Sequence, residues 1–117
     1  MQTDREELLQ MRCEPCEKGG SPLPPGECAK LWQVVTGWDI LGGRVLQKKY
    51  VTKDFRDAMA FANRVAELAE QQQHHQDLHI SYRWAKVDLT THAVGGLSMN
   101  DFVLAAKIDE ARSEMSA

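Results

Sequence analysis

A long amphipathic segment, residues 54–73, constrains the fold of this chain of 117 residues more than any other feature. Apolar side chains recur there at steps of three and four, which is the spacing of one face of an α-helix. They are Phe55, Ala58, Met59, Ala62, Val65, Ala66 and Ala69. At about 1.5 Å per residue the helix is about 30 Å long, enough to cross a small domain. Such a face must be buried against another layer, and we predict that this layer is a β-sheet.

Segments with strand character lie on both sides of this helix. We predict strands at residues 38–41, 44–51, 78–82 and 84–91. The glycines Gly42 and Gly43 separate the first two and are typical of a tight hairpin turn. In the last strand Ala85, Val87 and Leu89 alternate with polar residues, which indicates one buried and one solvated face. Two strand pairs separated by a helix favour an antiparallel sheet.

Two further helices complete the predicted architecture. The first begins near Pro24 or Pro25, because proline is accepted in a first helical turn, and it ends near Val35. The last follows Ser98 and Asp101, which resemble a capping box. Together these elements predict an α+β fold: a four-stranded antiparallel sheet with three helices packed on one face.

Residues 1–26 differ in composition from the rest of the chain and contain all four prolines. Because proline fixes φ and removes a backbone donor, we predict a flexible or extended Cys/Pro-rich arm there, with a short frayed helix at residues 3–11. Residues 27–117 form the predicted globular domain. The three cysteines, Cys13, Cys16 and Cys28, are odd in number. With no apolar export-type leader, they argue against a disulfide framework and favour the cytoplasm.

The bulk composition excludes some classes of function. The formal net charge is −3, without the basic stripe that direct nucleic-acid binding requires. No apolar run reaches the roughly 18 residues of a membrane-spanning helix. The cysteine arm leaves three interpretations open: an ordinary non-metal segment, a redox pair, or part of a zinc site. A closed zinc site needs about four ligands, more than the cysteines supply, and we therefore expect no metal.

The chain has 4 histidines, at positions 74, 75, 79 and 92. Imidazole is the side chain whose ordinary pKa lies closest to neutral pH, so a cluster can contain both an acid and a base. Glu70 lies four residues before His74, which predicts a shared helix face and a carboxylate that orients the ring. A solvated helix end and a zinc site explain the same spacing, so the residues alone leave the function open.

One spaced set of residues resembles the signature of the pterin-4a-carbinolamine dehydratases. It comprises Glu70, His74, His75, Gln76, Tyr82, His92 and Asp101. Segments 91–98 and 101–105 resemble the family's second block, and Gly37 with Trp38 fits the start of its first strand. The resemblance extends from about residue 30 to residue 112. It implies the same sheet with helices on one face, assembled as a homodimer or homotetramer.

The resemblance also implies an activity, the removal of water from 4a-hydroxytetrahydropterin to give quinonoid dihydropterin. Pterin is then the substrate, and neither a cofactor nor a metal is required. We expect His75 and His92 to perform acid–base chemistry at the C4a hydroxyl and N5, and His74 to bind or orient the pterin. The predicted substrate contacts are Glu70, Gln76, Tyr82 and Asp101. We also expect Asp101 to cap the last helix and hold the His92 loop.

Two features favour an alternative function on the same fold. Gln76 occupies the position where the family has proline, which would otherwise lock the turn that aims the two histidines. Cys13 and Cys16 resemble the lead-in of a subgroup that includes chloroplast members linked to Rubisco assembly. The alternative is a non-catalytic assembly factor or binding module with a protein client, in a Rubisco-related or molybdopterin-related role. A coactivator role like that of animal relatives is a third possibility.

Overall fold

The computed structural model describes residues 4–14, 21–74 and 76–115. Its helices are α1 (Arg5–Gln10), α2 (Pro25–Val34), α3 (Phe55–Gln72) and α4 (Met99–Met115). Its strands are β1 (Asp39–Leu41), β2 (Val45–Val51), β3 (Asp77–Ile80) and β4 (Trp84–Leu89), and a 3₁₀ turn covers His92–Val94. The predicted arm residues Pro15, Cys16, Gly19 and Gly20 lie outside the described ranges.

The strands form one sheet in the order β1-β2-β4-β3, and all neighbours are antiparallel. This confirms the predicted α+β architecture. Gly42 and Gly43 have φ of 57° and 69°, the left-handed conformation of a tight hairpin turn, and the N–H of Arg44 closes the turn by donating to the carbonyl of Leu41. The predicted ends of two strands are wrong. β3 stops at Ile80, which leaves Tyr82 in the turn, and β4 stops at Leu89, which leaves His92 beyond the strand.

The two faces of the sheet differ in burial. On β4 the alternate residues Ala85, Val87 and Leu89 are fully buried, and the first and last of them pair with the buried Tyr50 and Leu46 of β2. The helices cover this face. Their buried side chains include Leu31, Phe61, Val65, Phe102, Leu104 and Ile108. The opposite face has no covering element among the described residues, and it carries the charged side chains of β4.

The long helix begins and ends with defined caps. The side chain of Asp54 accepts a hydrogen bond from the backbone N–H of Asp57, so Asp54 rather than Thr52 is the N-cap. At the other end Gln73 is left-handed, with φ of 53°, and its N–H donates to the carbonyl of Glu70. The N–H of His74 donates to the carbonyl of Ala69 at 3.1 Å. This pair of bonds is a Schellman motif, and it fixes the direction in which the chain leaves the helix.

The first helix packs on the last one. Leu8 of α1 is fully buried, and the ammonium of Lys107 on α4 donates to the carbonyl of Leu9 at 2.7 Å. A helix of six residues is too short to be stable alone, so these contacts hold it in place. Part of the predicted arm is therefore a packed helix, while the boundary predicted at residue 26 stays a prediction. No helix in the described ranges is long and apolar enough to span a membrane.

A half-buried ion pair joins α4 to the start of α3. Arg112 donates from both terminal nitrogens to the carboxylate of Asp57, each at 3.0 Å. The two side chains are 16% and 18% exposed. The hydrogen bonds from Arg112, and then that from the backbone N–H of Lys53, lower the pKa of Asp57 from 3.8 to about 2.

This ion pair predicts how stability depends on pH. Because the pKa of Asp57 is lower in the folded state, its stabilisation is complete well above pH 3.8 and is lost as the pH falls through about 2. We expect Arg112→Met to lower the free energy of unfolding at pH 7 by about 1–2 kcal/mol, since the bond from the N–H of Lys53 remains. The difference from the native chain should shrink towards pH 2, as measured by urea unfolding at several pH values.

The matched control is Arg64→Met, which removes an exposed ion pair with Glu67 on α3. The two side chains are 38% and 63% exposed, so solvent screens them and we expect a loss below about 0.5 kcal/mol. A loss at Arg112 that stays constant between pH 7 and pH 2 would contradict the assignment to Asp57.

Candidate functional site

The topology brings three chain segments to one end of the sheet. β3 begins at Asp77, shortly after His74, and β4 ends at Leu89, shortly before Thr91. Since β3 and β4 are antiparallel, the start of one lies beside the end of the other. Helix α4 begins at the same place, after a short loop closed by hydrogen bonds between Thr91 and Gly96. The end of α3, the end of β4 and the start of α4 therefore meet.

A histidine–carboxylate pair lies at this junction. The Nε2 atom of His74 is 2.7 Å from Oδ1 of Asp101. The Asp101 side chain is fully buried, and that of His74 is 11% exposed. A carboxylate only accepts hydrogen bonds, so Nε2 carries the proton and Nδ1 of the neutral ring has the lone pair. The pair therefore fixes both the orientation and the tautomer of the ring.

The second oxygen of Asp101 is also occupied. Oδ2 accepts from the hydroxyl of Thr91 at 2.8 Å and from the N–H of Ser98 at 2.9 Å. Because Thr91 gives its hydroxyl proton to Asp101, the hydroxyl of Ser98 must donate to Thr91, at 2.8 Å. Ser98 Oγ in turn accepts from the N–H of Asn100 at 3.2 Å. Each donor in this run of hydrogen bonds has an acceptor, and both oxygens of Asp101 are occupied, which favours a stable buried polar network.

These contacts confirm that Asp101 caps the last helix and holds the loop before His92. The bond to Ser98 N–H, together with the Ser98 hydroxyl bond, is the predicted capping box at the start of α4. The bond to Thr91 holds the residue before His92, as expected. The role of Asp101 as a substrate contact stays a prediction; in this structure its side chain is inaccessible and both oxygens accept hydrogen bonds from the protein.

The prediction that Glu70 and His74 share a helix face is wrong. The two were expected to share a helix face, but α3 ends at Gln72 and the left-handed Gln73 turns His74 off the helix. The carboxylate that contacts the ring belongs to Asp101, 27 residues further along the chain. Glu70 is exposed on the last turn of α3, and its role as a substrate contact stays a prediction.

The remaining predicted residues lie at different distances from this junction. His92 is exposed and begins the 3₁₀ turn directly after Thr91, so it is next to the network that holds His74. His75 lies outside the described residues. Tyr82 is 67% exposed in the turn at the far end of the β3–β4 hairpin, and one chain does not bring it to His74. His79 lies on the open face of the sheet, 3.6 Å from Asp88.

Gln76 has an unusual environment. Its side-chain oxygen is buried, and no donor in the described part of the chain reaches it. A buried carbonyl oxygen without a partner costs about 1–3 kcal/mol, so it is retained at a cost in stability. Gln76 follows the His74–His75 pair and precedes β3, which places this acceptor at the junction described above.

Two of the three cysteines, Cys13 and Cys28, lie in the described part of the chain, and both are free thiols. Cys28 is buried on α2, and burial, followed by the negative charge of Asp101, raises the pKa of its thiol. It is therefore protonated and unreactive at neutral pH. Within the described ranges, no cluster of three or more His, Cys, Asp or Glu side chains is arranged to hold a metal ion.

A separate apolar groove of about 510 Å³ lies between α2 and β1. Its walls include Leu23, Trp32 and Ile40, and its one carboxylate is that of Asp39. The groove is of ligand size, but it lacks a histidine or another side chain that exchanges protons near neutral pH. The junction around His74 is therefore the better candidate for acid–base chemistry.

Sequence reasoning assigned no role to Thr91, although it is the central donor of the network. The sequence does contain a signal for this role, because Thr91 precedes His92 directly and a second hydroxyl residue, Ser98, lies between Thr91 and Asp101. Hydroxyl residues around a buried carboxylate are the expected partners, since such a charge must be hydrogen-bonded.

Known proteins share this architecture and sequence. The model of the family described as "Pterin 4 alpha carbinolamine dehydratase" matches residues 21–111. A protein of Nitrosospira multiformis, whose name places it among the pterin-4-alpha-carbinolamine dehydratases, is 40% identical over 109 residues, 93% of this chain and 96% of its own. A Rickettsia bellii protein of the same name is 44% identical over 103 residues, 87% and 91% of the two chains.

A solved structure agrees with these sequence relationships. The crystal structure of a transcriptional coactivator/pterin dehydratase from Brucella melitensis matches with a TM-score of 0.73 at 27% identity. The match covers 77% of this chain and 97% of that one. Fold, family model and relatives agree, and the chain belongs to the pterin-4a-carbinolamine dehydratase family.

Proposed function

We propose that this chain dehydrates 4a-hydroxytetrahydropterin to quinonoid dihydropterin, as a step of pterin recycling. The C4a–oxygen bond breaks after the hydroxyl receives a proton, and water leaves. N5 loses its proton as the double bond between C4a and N5 forms. The reaction donates one proton and takes one, and it needs neither an oxidant nor a reductant. Pterin is thus the substrate, and no cofactor or metal takes part.

The pairing of His74 with the buried Asp101 is the observation that carries this proposal. A fixed imidazole beside a turn that presents a second imidazole, that of His92, supplies two side chains of the type most often used as general acid or base. Positioned acids and bases of this kind are typically worth about 10²–10⁴-fold in rate each. Family membership supports the same reaction.

The geometry favours a division of roles between the histidines. The ring of His74 is nearly buried and held by Asp101, which suits binding and orientation of the pterin through Nδ1. His92 is exposed, so it can exchange protons with water between turnovers. We assign His92 and His75 to proton transfer at the C4a hydroxyl and N5. Asp101 acts through His74 and is a positioning residue.

The first test is Asp101→Asn, which keeps the shape of the side chain and removes its charge. An amide can donate as well as accept, so the tautomer of His74 is no longer fixed. We expect kcat for 4a-hydroxytetrahydropterin to fall by about 10²-fold, with a smaller change in KM. Dehydration is followed by ultraviolet absorbance. His92→Ala should lower kcat by about 10²-fold or more, because it removes a proton-transfer group.

The matched control is Asp88→Asn, since Asp88 also lies near a histidine, His79, but on the open face of the sheet. Its kcat and KM should stay within about twofold of the native values, as expected for a surface change away from the site. Equal losses in Asp101→Asn and Asp88→Asn, or full activity in His92→Ala, would sink the proposed mechanism.

The second test concerns Gln76. We propose that its side-chain oxygen, buried in the unliganded chain, becomes accessible when the substrate binds and accepts a hydrogen bond from the pterin ring. Gln76→Leu removes an acceptor that has no donor in the described part of the unliganded chain. We expect the variant to be more stable by about 1 kcal/mol in thermal unfolding. We also expect KM for the pterin to rise by about tenfold, because a neutral hydrogen bond to the substrate is lost.

Gln47→Leu is the matched control for this change. Gln47 lies on the open face and donates to Asp88 at 2.8 Å, so its removal should give no gain in stability and no change in KM. A Gln76→Leu variant with native KM would refute the substrate contact, whatever its stability.

A protein-binding role on the same fold is the second candidate. Val51 and Leu41 on the open face are 76% and 43% exposed, and apolar side chains on an uncovered sheet suit a partner surface. The relative from Brucella melitensis is named both as a coactivator and as a dehydratase. A client for Rubisco assembly or molybdopterin metabolism, and the homodimer or homotetramer implied by the family, stay predictions. Full-length protein without any turnover would favour this candidate.

A further inference from the structure

The segment that follows α1 is bonded directly to the junction that holds His74. The N–H of Cys13 donates to the side-chain oxygen of Gln72 at 2.9 Å, and Gln72 is the last residue of α3. The thiol of Cys13 lies 3.5 Å from the carbonyl of Asn100, at the start of α4. The segment therefore touches both helix ends between which the His74–Asp101 pair lies.

Asn100 makes the closest of these contacts. Its side-chain oxygen accepts from the N–H of Glu14 at 2.8 Å, and its side-chain nitrogen donates to the carbonyl of Glu14 at 2.6 Å. The amide thus binds the main chain of Glu14 as a neighbouring β-strand would, through one donor and one acceptor. Asn100 is only 7% exposed, so these bonds are shielded from water.

The backbone of Asn100 belongs to the other network. Its N–H donates to Ser98 Oγ, which donates to Thr91, which donates to Asp101. One residue therefore joins the N-terminal segment to the hydrogen bonds that hold the carboxylate beneath His74. Asn100 is also the residue directly before Asp101, so a shift of its main chain displaces that carboxylate.

The other end of the segment is anchored independently. Leu8 is fully buried in the core, and Lys107 holds the carbonyl of Leu9. An anchored helix reduces the entropy that the chain loses when residues 11–14 bind, which strengthens the contact at Asn100. The family model begins at residue 21, so these contacts are made by chain that lies outside the matched domain.

We propose that Asn100 is a positioning residue through which the N-terminal segment, residues 11–14, holds the Asp101–His74 pair in its active orientation. The segment is then part of the site's supporting structure, rather than an arm that serves a partner. In its kinetic consequences this inference rests on the proposed dehydratase function. Its structural consequence, the fixed tautomer of His74, does not depend on turnover.

The test is Asn100→Ala in the full-length protein, with two readouts. The first is the ¹⁵N NMR signal of the His74 ring nitrogens, assigned with a His74→Gln variant, which reports the tautomer without any substrate. We expect the Nε2–H form in the native chain and a shift towards a mixture of tautomers in Asn100→Ala. The second is turnover, where we expect kcat to fall by about tenfold and KM to change by less than about twofold.

Two further variants keep the test decisive. Ile108→Val, in the buried part of α4, costs about 0.5–1.5 kcal/mol and should leave the ring signals and kcat unchanged, which separates positioning from loss of stability. Gln72→Ala removes the side-chain oxygen that accepts from the N–H of Cys13; Gln72 is the partly exposed last residue of α3. Gln72→Ala should shift the ring signals of His74 in the same direction as Asn100→Ala. If Asn100→Ala does not fold, the result for Gln72→Ala tests the proposal.

The possible outcomes are distinguishable. Native ring signals in both Asn100→Ala and Gln72→Ala would overturn the inference while leaving the dehydratase proposal intact. A native chain without turnover would remove the proposed function, whereas the ring signals would still decide whether Asn100 positions His74. A shift in Ile108→Val as large as that in Asn100→Ala would also overturn it.

Discussion

The buried carboxylate of Asp101 is the constraint on which this junction depends. An uncompensated charge in a protein interior is very unfavourable, so the surrounding chain has to supply donors to both oxygens. Those donors come from three separate parts of the sequence: His74 after α3, Thr91 after β4 and Ser98 before α4. Satisfying one charge therefore ties three element ends together, and it orients an imidazole at the same time.

Much of the architecture follows from local patterns in the sequence. The apolar period of α3 and the alternation along β4 predicted those elements because one face of each is buried and the other is not. The twin glycines predicted the β1–β2 turn because only that conformation matches the strand twist. The errors lie at strand ends, where the bridge between Thr91 and Gly96 replaces continued pairing by a 3₁₀ turn.

The candidate site was predicted in its residues but not in its contacts. Glu70 was the expected partner of His74 because helical spacing is the only proximity that a sequence shows directly. The helix ends at Gln72, two residues before His74, and it is followed by the left-handed Gln73, a residue type that seldom adopts this conformation. Asp101 was predicted as a helix cap. Its hydrogen bond with His74 depends on tertiary packing between residues 27 positions apart. The docking of α1 was likewise invisible, since six residues have little helical preference of their own.

The alternation along β4 gives its two faces different structural constraints. Side chains that point to the helices support the junction at the end of the sheet, whereas Lys86 and Asp88 point away from it. Substitutions on the outer surface can therefore accumulate, or acquire a new binding partner, without displacing the acid–base groups. A protein with this topology can gain a binding partner on the open face of the sheet and keep its acid–base chemistry, because the two functions use different parts of the sheet.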